Sequence, residues 1–176
     1  MSGKFSLPFS LKLLGIIFGL WIIAENSFGQ DEKFKALFIY NFTKYIEWPA
    51  INGNDFKIAI VGNNNLANEL NSIASKMKVG QRSINIISAK FSSEIFDCQI
   101  VYISNNNIAE LSYLKGKAKS NNYLIITETP NSCLLGSCIN FVSRNGSLKY
   151  EISKLNIENA GLKVNSSLLV LGIEVN

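Results

Sequence analysis

The 176-residue chain contains no histidine, which removes the commonest general base and the commonest metal ligand together. Nucleophiles that depend on a Ser-His or Cys-His pair are excluded with it. The three cysteines leave no second ligand pair to complete a zinc set, and no metal motif is present. Glycine is scarce where a phosphate loop would need it, since the turn Val61-Gly62-Asn63-Asn64-Asn65 carries only one. The acids Asp55, Glu69, Glu94, Asp97, Glu110, Glu128, Glu151 and Glu158 are scattered, with no two in a recognisable acid–base arrangement. Internal repeats and low-complexity linkers are absent as well. These gaps point away from catalysis, with no cofactor expected, and toward binding.

A membrane-length hydrophobic run is also missing. Lys4 and Lys12 precede an apolar stretch from Leu13 to Ala24, 12 residues long, with small residues Ser27 and Gly29 following. A bilayer core needs roughly 20 apolar helical residues, so this stretch reads as a cleaved secretory leader over residues 1–29. No cysteine near the cleavage point is there to carry a lipid. Residues 30–176 suit one domain with a single core, expected to be periplasmic and not membrane-spanning. The net charge of +4 is mild and dispersed, unlike a nucleic-acid footprint.

Export places the cysteines where disulfides persist. Cys133 and Cys138 are separated by Leu-Leu-Gly-Ser, a loop short enough to close locally, with Gly136 relieving the backbone. A 133–138 disulfide is expected, the alternative being two half-buried thiols. Cys98 would stay unpaired beside a buried strand and behave as a small hydrophobe, because nothing near it in sequence lowers its pKa.

Apolar residues from Lys33 to Glu47 recur at helical spacing, and Trp48-Pro49 is expected to end that helix. Strand and helix patterns then alternate four times: strands at 56–61, 84–89, 99–104 and 123–127, with helices at 66–76 and 108–117. The crossover at 91–96 reads as short or irregular. Such alternation implies a three-layer α/β fold with a mostly parallel central sheet. Asn145-Gly146 lies between two alternating runs and predicts an antiparallel hairpin at one edge of the sheet. Ser153 can cap a last helix to Ala160, and residues 164–171 are left open between helix and strand.

Two sets of residues are candidates for function. Ligands of open parallel sheets bind beyond the carboxyl ends of strands, which selects Gly62, Asn63, Ser104 and Asn105, although turn and capping roles explain the same residues. Tyr45 and Trp48 close an aromatic-rich segment with Tyr40 and Phe42. Most of these rings should be core, but tyrosine and tryptophan are favoured at protein interfaces.

The run from Phe34 to Pro49, FKALFIYNFTKYIEWP, following a leader, resembles the opening motif of the YfiR family. Ile58-Ala59-Ile60-Val61-Gly62, Asp97 to Ser104, Ile139 to Val142, Glu151-Ile152-Ser153, Ala160 to Val164 and Ser167-Leu168-Leu169 continue the likeness as far as Leu171. The resemblance implies a periplasmic regulator that binds the sensor region of an inner-membrane diguanylate cyclase and holds it inactive, so that cyclic di-GMP rises when it is withdrawn. It also implies a structural disulfide near Cys133 and Cys138, while a second bridge known in relatives cannot form because Cys98 has no partner. Two other readings stand beside it: a small-ligand sensory module serving a membrane histidine kinase or transporter, and a histidine-free hydrolase. Self-association into a homodimer is left open by the sequence.

Overall fold

The structure is a computed structural model that describes residues 30–175; the expected leader, 1–29, lies outside them. The chain runs through α1 (residues 30–45), β1 (Ile46–Glu47), β2 (Asp55–Val61), α2 (Asn64–Ala74), β3 (Lys78–Val79), β4 (Arg82–Ala89), β5 (Ile100–Ile103) and α3 (Leu111–Asn121). It continues through β6 (Leu124–Thr127), α4 (Ser132–Leu135), β7 (Ile139–Arg144), β8 (Ser147–Ile152), α5 (Lys154–Asn159), β9 (Lys163–Val164), α6 (Ser166–Leu171) and β10 (Ile173–Glu174).

Every residue of β5 and β6 is buried, as are the last four of β2. Side chains alternate between the faces of a strand, so consecutive buried residues require cover on both faces. The result is the expected three-layer α/β arrangement around a mostly parallel sheet. Its eight strands lie in the order β10-β8-β7-β6-β5-β2-β4-β3, with β4, β2, β5, β6 and β7 mutually parallel. The strand order reverses at β2, whose neighbours are β4 and β5.

Local chemistry sets the element ends. Asn63 caps α2 by accepting from the Leu66 amide at 3.0 Å. Asn122 takes the left-handed conformation, φ 53°, that closes α3. Asn145 and Gly146, φ 54° and 72°, make the turn joining β7 to β8. Helix α1 is seated on that hairpin by rings: Phe42 lies 6.1 Å from Phe141 and 5.1 Å from Tyr150, centroid to centroid.

Several expectations are refined. Helix α1 ends at residue 45, before Trp48, because the chain turns into β1 and pairs antiparallel with β9 in a separate two-stranded sheet. The hairpin is not the outermost element, since β10 adds to β8 in parallel. Residues 164–171 resolve into the end of β9 and the short helix α6, capped by Asn165. The β3 strand and α4 escape a periodicity reading because two residues and one helical turn are too short to show a period.

Candidate functional site

The carboxyl ends of the parallel strands bring all four predicted crevice residues together. Gly62 turns the chain after β2 at φ +77°, and a Cβ there would lie 2.6 Å from Ser104 Oγ and 1.9 Å from Asn107 Oδ1. Only glycine fits that approach. Ser104, buried after β5, donates its backbone N–H to the Val61 carbonyl at 3.0 Å and its hydroxyl to Asn107 Oδ1 at 3.0 Å. Asn105 donates its amide to Glu128 Oε1 at 3.1 Å and accepts from Thr129 Oγ1 at 2.8 Å.

The crevice is occupied by the chain itself. Helix α1 presents Glu32 and Lys35 to it: Lys35 Nζ lies 2.6 Å from Glu128 Oε2 and 2.9 Å from Glu32 Oε1. Asn63 Nδ2 donates to the other Glu32 oxygen at 3.1 Å. The three charged side chains are only 12–19% exposed, so the pairs sit largely out of water. Beneath them Tyr102 of β5 is fully buried, its hydroxyl near Glu128 and Asn63 but with no hydrogen bond of acceptable geometry. Burial and the Glu128 charge together push that phenol upward.

The charges of this clasp are locked. Burial alone would raise the Glu128 pKa, but the Lys35 hydrogen bond and charge outweigh it and hold the carboxyl below its usual range. Burial alone would lower Lys35, and its bonds to Glu128 and Glu32 leave it raised instead. A general acid or base works best with a pKa near the operating pH. Here the two shifts run the other way, Lys35 up and Glu128 down, so the pair stays charged around neutral pH.

Glu32, Lys35, Glu128 and Tyr102 were not among the sequence candidates. Glu128 directly follows β6, and the rule that favours carboxyl ends of strands could have selected it. Lys35 gave no such indication, because helix α1 precedes the first sheet strand and periodicity cannot say which end of the sheet it crosses.

The expected 133–138 disulfide is not formed in the structure. Cys133 in α4 and Cys138 before β7 are free and buried, as is Cys98. Hydrogen bonds close the loop instead: Asn156 Nδ2 donates to the Cys133 carbonyl at 2.7 Å and the Ser137 carbonyl at 2.8 Å, so this conformation does not require the covalent link. Burial pushes all three thiols up to about 12.

Tyr45 and Trp48 fall on different features. Tyr45 is half-buried and lines a groove of about 330 Å3 with Phe38, Phe42, Leu148, Tyr150 and Leu171. Trp48 sits at the amino end of the sheet, its Nε1 donating to the Thr43 carbonyl at 3.0 Å and its ring 5.0 Å from Phe56. Large apolar side chains stand exposed around the groove, Val170 at 84% and Leu171 at 68%, with Phe34 and Leu37 on α1. No helix among the described residues is long and apolar enough to cross a membrane, and no group of three metal-ligating side chains occurs among them.

Residues 32–172, covering α1 through α6, match the domain family DUF4154, described as YfiR/HmsC-like. The chain belongs to the YfiR/HmsC-like family. Its fold also resembles a solved structure, the ABC domain in complex with L-Trp from Streptococcus pneumonia, with a TM-score of 0.50 and 11% identity. That match covers 72% of this chain, which spans 57% of the other. At this identity the likeness is one of fold alone. In this YfiR/HmsC-like chain the usual crevice of a parallel sheet is therefore filled from within, while an apolar groove lies open beside α1.

Proposed function

We propose that the chain is a non-enzymatic periplasmic regulator that binds the periplasmic sensor region of an inner-membrane diguanylate cyclase and restrains it, controlling cyclic di-GMP. The observation that carries this reading is membership of the YfiR/HmsC-like family over residues 32–172. The clasp of Lys35 with Glu32 and Glu128 supports it, because the crevice where a small ligand or substrate would sit is taken. The open apolar surface supports it too. Exposed apolar side chains on α1 and α6, Phe34, Leu37, Val170 and Leu171, offer contact surface, and Tyr45, which lines the groove with Leu171, is its aromatic anchor.

Tagged chain, exported and cross-linked in cells, is purified from solubilised inner membrane and its companions identified by mass spectrometry. A diguanylate cyclase is the expected companion. Leu171→Asp, at an exposed position, should cut its recovery about tenfold or more, as loss of an interface anchor does, while circular dichroism stays unchanged. Recovery of no integral-membrane signalling protein, or recovery indifferent to Leu171→Asp and Tyr45→Ala alike, overturns this reading of the surface.

A further inference from the structure

The amino end of the sheet holds a second depression that the regulatory reading does not use. It measures about 250 Å3 and is lined by Trp48, Asn52, Asp97, Gln99, Asn121 and Asn122, with Pro49, Ala50, Ile51 and Ser120 completing it. Pockets for drug-sized ligands measure roughly 300–1,000 Å3, so this smaller space suits a single small ring.

Its polar groups are fixed on one side and spare on the other. Gln99 Oε1 accepts from the Lys57 amide at 2.8 Å, which leaves its Nε2 donor unused. Asn121 and Asn122 each donate from Nδ2 to a backbone carbonyl, of Lys117 at 2.9 Å and of Ala160 at 3.0 Å, which leaves their carbonyl oxygens as acceptors. Asp97 gives one oxygen to Lys57 Nζ at 3.0 Å and retains the other. A primary carboxamide or carboxylate carries both its polar atoms at one planar end. Four carboxamides and one carboxylate around one small space thus offer mixed donors and acceptors at fixed angles.

Charge narrows the class of ligand. No lysine or arginine lines the depression itself, and Lys57 at its edge is committed to Asp97 at 3.0 Å, so an anion finds no free cation there. The only lining carboxylate, Asp97, is already paired with Lys57, so a cation must compete for it. Trp48 supplies an apolar wall held still by its bond to the Thr43 carbonyl and its contact with Phe56. Asp97 and Asn122 hold left-handed backbone, φ 51° and 53°, at this site, a conformation that non-glycine residues adopt at some cost.

We propose that this depression binds one ring of a neutral saccharide, its C–H face against the Trp48 indole and its hydroxyls on Asn52, Asp97, Gln99, Asn121 and Asn122. A pyranose has this combination: an apolar face, and hydroxyls that both donate and accept. The site is distinct from the partner-binding groove, since the two share no lining residue.

Saturation-transfer NMR on the exported protein tests it, with D-glucose, D-galactose and N-acetyl-D-glucosamine as probes and choline and acetate as charged comparators. At least one sugar should receive saturation at millimolar concentration. Asn121→Ala and Gln99→Glu should each weaken that sugar about tenfold, the equivalent of 1.4 kcal/mol, with the thermal midpoint unchanged. Neither variant disturbs the core: Asn121→Ala gives up only an exposed bond to the Lys117 carbonyl at the end of α3, and a glutamate at 99 still accepts from the Lys57 amide. Leu171→Asp, in the apolar groove, should leave sugar binding intact while it impairs partner recovery, so the two proposals fail separately. No transfer to any of the three sugars overturns the assignment. Transfer indifferent to both substitutions, or binding of choline or acetate in place of sugar, does the same.

Discussion

The two ends of the central sheet are treated in opposite ways. At the carboxyl end the strands β2, β5 and β6 converge on polar loops, and the chain fills the space with Glu32 and Lys35 from α1. At the amino end the loop after β1 and the end of α3 leave an open depression whose amides are only half used. Topology alone favours the first as a ligand site. The side chains favour the second, because an ammonium between two carboxylates already meets the needs of the carboxyl-end crevice. A binding site is identified by what its polar groups still lack, not by its place in the fold.

The sharpest way to break the contrast is to remove the clasp's cation. Lys35→Met keeps the length of the side chain but leaves Glu32 and Glu128 facing each other. We expect a loss of roughly 2–4 kcal/mol in chemical denaturation, near the lower part of the range for a buried pair stripped of one partner. Hydrogen exchange should quicken at Asn63, Asn105 and Glu128 while the amides of Gln99 and Asn122 keep their protection. Gly62→Ala acts on the same end through the backbone, with positive φ and contact with Ser104 and Asn107 costing about 1–3 kcal/mol. An unchanged melting temperature for Gly62→Ala would mean that the turn relaxes freely.

Acidity sharpens the comparison next. Glu128 titrates lower in the folded chain than its ordinary 4.5, so its contribution is complete above that value and is lost as pH falls through the folded pKa. Lys35 titrates higher than its ordinary 10.5, so its contribution is present below that value and fades as pH rises through the folded pKa. Stability followed by urea titration should therefore fall at both extremes, and Lys35→Met should flatten both limbs. The smallest effect belongs to the amino end. Trp48→Phe gives up one hydrogen bond to the Thr43 carbonyl and part of an edge contact, about 1 kcal/mol by thermal denaturation.

Much of this architecture is legible in the sequence, and the reason is periodicity. Ile58 to Val61, Ile100 to Ile103 and Leu124 to Ile126 read as doubly covered strands because their apolar runs are unbroken, and Asn145-Gly146 specifies its own turn. The placing of Gly62, Asn63, Ser104 and Asn105 at strand ends is legible too, because strand ends follow from strand positions. What closes the crevice was not. Glu32 and Lys35 lie 93 or more residues from Glu128 and on the opposite side of β2 in the chain, and no local pattern joins them. The same holds for Trp48, whose segment reads as an interface from its aromatic content, yet whose neighbours Asp97, Gln99 and Asn121 come from the loop before β5 and the end of α3. At the cysteine pair, spacing points to a bridge, whereas in this conformation the thiols are free and Asn156 closes the loop with hydrogen bonds.

The proposed restraint of a cyclase through the apolar surface is tested most directly by cellular cyclic di-GMP. Deleting the gene should raise the nucleotide, wild-type chain should restore the low level, and Leu171→Asp exported in equal amount should not. Cyclic di-GMP that does not respond to deletion, or that Leu171→Asp restores as fully as wild type, would contradict the account.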